Sequence, residues 1–119
     1  MVFEAERIDT FQLRLPVFEG PLDLLLYLIE REELDITAVS LVQVTGQYLS
    51  HLRSGEQIDA DALAEFIVIG ARLIYLKSRA LLPQPQADEE VEELGEDLVQ
   101  RLREYRRFKE AAGHLKELE

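Results

Sequence analysis

Residue types that carry most protein chemistry are sparse in this 119-residue chain and poorly grouped. His51 and His114 are its two histidines, far apart in sequence, and they suit solvated helix ends better than a metal pair. With no cysteine there is no thiolate nucleophile, no disulfide and no cysteine-based zinc site. Ser40 and Ser78 have no histidine base nearby in sequence, and neither a Gly-x-Ser-x-Gly elbow nor a glycine-rich phosphate loop occurs. Asp59 with Asp61, and the acidic run over 88–93, supply carboxylates without a convergent partner. They read as helix caps and a solvated acidic hinge. One basic cluster, Arg101, Arg103, Arg106, Arg107 and Lys109, could meet an acidic surface or DNA. A solvated face braced by pairs four apart, Asp97 with Arg101 and Arg106 with Glu110, is the simpler reading. These patterns predict a non-catalytic protein that needs no cofactor and no metal.

Composition bounds the rest. Apolar residues make up 47% and charged residues 31%, enough for one compact core under an ordinary soluble surface. The net charge of −11 repels a duplex backbone, so direct DNA binding is disfavoured. Residues 1–9 lack the basic-then-apolar order of a signal peptide. The longest apolar stretch, residues 62–76, contains Glu65 and Arg72 and falls short of the roughly 20 residues of a membrane span. The expectation is a soluble, cytoplasmic protein without membrane contact.

The elements that must position any surface are helical. Residues 10–17 alternate apolar and polar, with Phe11, Leu13, Leu15 and Val17 on one side; this is a short extended arm laid across helices. Gly20 and Pro21 start a first helix with the stripe Leu22, Leu25, Leu26 and Ile29, widened by Leu24 and Leu28. Ser40 with Gln43 reads as a capping box opening a second helix, which Ser54 and Gly55 stop; Gly46 weakens its middle. A third helix starts near Asp59 or Asp61 and runs to Leu82, where Pro83 ends it. Residues 83–90, with two prolines and a run of acids, form a hinge. A fourth, amphipathic helix fills 91–119. The fold class is all-α: three helices with an extended arm over 1–82, then the hinge and the long helix.

The third helix is apolar over most of its circumference. On a wheel of about 100° per residue, Glu65, Arg72 and Arg79 form a narrow charged strip. Opposite lie Leu63, Ile67, Gly70, Ile74 and Leu81; Phe66, Ile69, Leu73, Leu76 and Ala80 make one flank, and Val68, Ala71, Tyr75 and Leu82 the other. Such a helix must be covered on two sides. Two short helices cannot cover both flanks, so either the fourth helix folds back or a flank stays open as an interaction patch. The strip, with its seven-residue spacing, would suit docking beside a coiled coil.

Several runs carry a resemblance: Phe18-Glu-Gly-Pro-Leu-Asp-Leu-Leu-Leu-Tyr-Leu-Ile29, Glu33-Leu-Asp-Ile36, Gln47-Tyr-Leu49 and Leu76-Lys-Ser-Arg-Ala-Leu-Leu-Pro83. In this order and separation they resemble segregation and condensation protein A (ScpA), the bacterial kleisin family, as does the run from Leu98 to Ala112. The resemblance implies a scaffold in chromosome condensation and segregation, cytoplasmic and nucleoid-associated. It implies that the N-terminal helical domain docks on the coiled-coil neck of an SMC ATPase head, chiefly through the third helix. On that basis the neck-facing candidates are Phe66, Ile67, Val68, Ile69, Gly70, Leu73, Ile74, Tyr75, Leu76, Lys77 and Leu81. The central region is implied to bind a dimer of the companion protein ScpB, with Leu98, Leu102, Tyr105, Phe108, Ala112 and Leu115 as candidates. DNA would be met only indirectly, through the complex. The alternative is a self-associating helical interaction domain of unrelated scaffold function.

Overall fold

A computed structural model of the chain describes residues 17–83 and 85–118, so the expected arm over 10–17 falls outside it except for Val17. Four helices build the architecture: α1 Pro21–Arg31, α2 Ala38–Ser54, α3 Leu63–Ala80 and α4 Ala87–Leu118, with a 3-10 turn Ala60–Ala62 ahead of α3. The fold is all-α. Among the described residues, extended pairing is confined to a parallel bridge between Phe18 and Ile58.

α1 begins as its sequence dictates, with Gly20 extended at the N-cap and Pro21 in the first turn. The Asp23 carboxylate accepts the Glu19 amide at 3.1 Å, satisfying a donor ahead of the helix. Leu24, Leu25, Leu26, Leu28 and Ile29 are all buried, so α1 is enclosed on most sides.

α2 starts earlier than Ser40. Thr37 is its N-cap, and the Thr37 hydroxyl accepts the Ser40 amide at 3.1 Å. Ser40 is therefore the third helical residue; its own hydroxyl donates to the Asp35 carbonyl and is buried. Gly55, at φ 69°, ends the helix in the left-handed region that glycine adopts without a Cβ penalty. The helix runs unbroken through Gly46, where a Cβ would meet open space.

α3 is preceded by Asp59, whose carboxylate accepts the Asp61 amide. It ends at Ala80, two residues short of the expected Leu82. The chain then reverses, and α4 begins at Ala87, ahead of the expected boundary. Asp88, Glu89 and Glu90 thus fall in its first turn, where carboxylates complement the positive helix end. At 32 residues α4 is roughly 48 Å long.

The fourth helix folds back. It packs on α1, α2 and α3, adding Val91, Leu98, Val99 and Leu102 to one hydrophobic cluster with Leu24, Leu41, Tyr48, Phe66 and Leu73. Gly95 permits this approach: a Cβ there would sit 2.9 Å from the Ala38 Cβ. Polar ties surround the contact. Arg79 pairs with Glu90, Arg72 with Asp97 at 3.5 Å, and Lys109 with Asp23 at 2.6 Å, while Arg103 donates to the Ile36 carbonyl at 2.8 Å. Two members of the Glu65, Arg72, Arg79 strip are therefore engaged by α4 rather than presented outward.

Candidate protein-docking surface on α3 and α4

Helix α3 has one face committed to the core. Phe66 and Leu73 are fully buried, Leu76 and Ile69 nearly so, and Gly70 packs on α2, its Cβ position 3.4 Å from the Tyr48 ring. The Tyr48 hydroxyl donates to the Phe66 carbonyl at 2.7 Å, and burial pushes its phenol well above its ordinary value. This bond leaves the buried hydroxyl satisfied and pins α2 to the first turns of α3.

The opposite face is bare. Leu63, Ile67, Val68, Ile74, Tyr75, Leu81 and Leu82 are all exposed, with Tyr75 at 52% and Leu81 at 71%. Ala64 and Ala71 lie among them, and Ser78 is the polar residue inside the arc, its hydroxyl turned back on the Tyr75 carbonyl at 2.7 Å. Isolated exposed apolar residues are ordinary, but a contiguous face of them is not. Folding back of α4 covers a second side of α3 and still leaves this outer face open.

The neck-facing candidates therefore divide. Phe66, Ile69, Gly70, Leu73 and Leu76 lie in the core, Ile67, Val68, Ile74, Tyr75 and Leu81 on the open face, and Lys77 is half-buried between them. Leu63 and Leu82 join the open face although they were not among the candidates. The signal for Leu63 was present in its spacing of four from Ile67 and eleven from Ile74.

The α4 candidates divide along the helix. Leu98 and Leu102 are buried against the body, Tyr105 is half-buried, and Phe108, Ala112 and Leu115 are exposed. Tyr105 sits beside the Lys109 and Asp23 tie, where burial first, and then the Asp23 charge, raise its phenol. The hydrogen bond to Asp23 likewise raises the Lys109 ammonium above its usual value. Of the basic cluster, Arg101 pairs with Asp97 at 3.2 Å and Arg106 with Glu110 at 3.9 Å. Arg103 and Lys109 are tied to α1 and its following turn, so most of this cluster braces the fold.

His51 packs edge-on against Phe18, with ring centres 6.2 Å apart, and His114 is exposed on α4. Among the described residues no group of three or more His, Asp or Glu is arranged to hold a metal ion. No helix among them is long and apolar enough to cross a membrane.

The small helical body thus leaves one outer helix face apolar and uncovered among the described residues. The family model described as segregation and condensation protein ScpA matches residues 28–119. The chain belongs to the segregation and condensation protein A family. Segregation and condensation protein A of Desulfitobacterium hafniense (strain Y51) is 44% identical over 110 residues, covering 90% of this chain and 42% of the relative. That of Clostridium tetani is 43% identical, covering 88% and 43%. That of Bacillus subtilis is 41% identical over 118 residues, covering 94% and 47%. The chain thus spans under half the length of the family members it matches.

Proposed function

We propose that this chain is the N-terminal half of a kleisin scaffold acting in chromosome segregation and condensation, and that it docks on the coiled-coil neck of an SMC head through the open face of α3. The observation that carries this reading is the outer face formed by Ile67, Val68, Ile74, Tyr75 and Leu81, apolar and uncovered by the chain's own helices. Each half-exposed side chain has about 1 kcal/mol still to gain from burial. Several together can offset the cost of association only if they are buried at once, as between parallel helix surfaces. Phe66, Ile69, Gly70, Leu73 and Leu76 serve the interface from beneath, by holding α3 in place. Family membership supports the role, and the apolar face supports the mode. Catalysis has no part in it.

On the same reading, the ScpB dimer is met by the exposed end of α4, with Phe108, Ala112 and Leu115 as anchors and Tyr105 at the margin. Leu98 and Leu102 stay in the core. DNA is met only through the assembled complex, consistent with a net charge of −11.

The test is binding of the chain to an SMC head carrying its adjoining coiled coil. Val68→Asp with Tyr75→Asp, and separately Ile67→Asp with Ile74→Asp, are expected to abolish binding while leaving the helical melting transition in place. Wild-type binding by both pairs would overturn the assignment of α3. Ile69→Asp with Leu73→Asp is no substitute, since both positions are buried and the change unfolds the body.

A further inference from the structure

Every residue from 107 to 118 in the last three turns of α4 is exposed, and beyond the Lys109 tie to Asp23 the helix makes no further polar tie to the body among the described residues. This overhang carries a stripe of its own: Phe108 and Leu115 are 70% and 65% exposed, seven residues apart, with Ala111 and Ala112 between them. Nearby, a groove of about 370 Å³ opens between α3 and α4, lined by Ala71, Tyr75, Leu76, Leu94, Gly95 and Leu98.

Charge says what fits there. Residues 87–100 of α4 hold seven carboxylates and no cation, whereas 101–118 hold six cations and three carboxylates. A helix so divided is complementary to itself when two copies run antiparallel. We infer that a second copy of this chain docks in that way, the Phe108 of each copy entering the α3/α4 groove of the other about a twofold axis.

The register follows from helix rise. With the two α4 helices crossing between Arg101 and Glu104, Phe108 lies about 8 Å along the axis from the crossing point. Leu98 and Leu94 lie about 7 and 13 Å from it on the other side, so Phe108 falls between them on the second copy. The same register sets Lys116 opposite Asp88 and Glu89, and sets Arg107 and Glu104 opposite Asp97 and Arg101, an ion pair within the chain that they would extend, each contact occurring twice. Both copies are strongly acidic, but charges further apart than about 8 Å are screened at physiological salt, so the pairs at the contact decide. The inference rests on the overhang and the groove, not on the SMC reading. Because Tyr75 belongs also to the surface proposed for the neck and Phe108 to that proposed for ScpB, pairing with a second copy excludes both partners.

Sedimentation equilibrium over a roughly hundredfold concentration range tests it. The average mass is expected to rise from one chain toward two at physiological ionic strength. Phe108→Asp should weaken pairing by roughly tenfold or more without changing helicity, since Phe108 touches no core. Two charge variants make the direction of pairing explicit. Arg107→Glu with Lys116→Glu, and Glu89→Lys with Asp97→Lys, should each fail to self-pair, and mixing them should restore a two-chain species. A single-chain mass at every concentration would overturn the inference. So would pairing that ignores Phe108→Asp, or a mixture of charge variants that stays monomeric while the wild type pairs.

Discussion

The two faces of α3 have nearly the same composition and opposite fates. One offers Phe66, Ile69, Leu73 and Leu76 and is buried by α1, α2 and α4; the other offers Ile67, Val68, Ile74 and Tyr75 and is left open. Hydrophobicity does not distinguish them, so the difference lies in what the rest of the chain can supply. Helices α1 and α2 close one side, α4 the next, and nothing in the described chain reaches the third. A contiguous exposed apolar face of this kind is what the proposed partner would cover, whereas its buried twin is covered by the chain itself.

That contrast can be broken most sharply by truncation at neighbouring positions. Leu73→Ala is expected to cost about 2–5 kcal/mol of stability, because it empties a fully buried site. Ile74→Ala, one residue on, should cost under about 0.5 kcal/mol. Urea unfolding of the two variants gives both numbers, and equal losses would mean that the faces are not distinct.

Tyr48 sharpens the buried side through pH. Its phenol is held protonated in the folded state beyond the ordinary tyrosine value, so above pH of about 10 the unfolded chain loses that proton first. Stability from this group is complete below that pH and falls by about 1.4 kcal/mol per pH unit as pH rises toward the folded value. Lys109, raised by its bond to Asp23, contributes in the same direction and over the same alkaline range. Tyr48→Phe should cost about 1 kcal/mol at neutral pH and flatten the alkaline decline. An unchanged slope in Tyr48→Phe would place the titration elsewhere.

Two glycines extend the comparison to covered and uncovered backbone. Gly95→Ala forces a Cβ to within 2.9 Å of Ala38, and an overpacking cost of about 1–3 kcal/mol should exceed the helix-propensity gain. Gly46→Ala meets open space and should stabilise by about 0.5–1 kcal/mol. Thermal melts of the two variants should move in opposite directions.

Periodicity disclosed the four helices and the apolar character of α3, because burial on a 3.6-residue repeat is written in the residues themselves. It could not say which flank of α3 would be buried, since both are apolar and the choice belongs to the partners α2 and α4. Return of α4 was hidden by composition: Pro83 and Pro85 with the following acids look like a linker, yet they make a reversal and a helix start. The ties that hold the return, Asp23 with Lys109 and Ile36 with Arg103, join positions far apart in sequence and leave no local pattern. Thr37 outcompeted Ser40 as the α2 cap because its hydroxyl reaches the Ser40 amide, while Ser40 is turned inward on Asp35. Of the proposed surface, Ile67, Val68, Ile74, Tyr75 and Leu81 were legible as apolar, and their exposure was not.

The absence of cysteine allows the most direct measurement, because one introduced thiol is the only one in the chain. A crosslinker on Ile74→Cys, mixed with an SMC head and its adjoining coiled coil, is predicted to capture the coiled-coil neck, while the same reagent on Glu30→Cys, exposed on α1, should not. Capture from Glu30→Cys with none from Ile74→Cys would contradict the claim that the open face of α3 is where this chain docks.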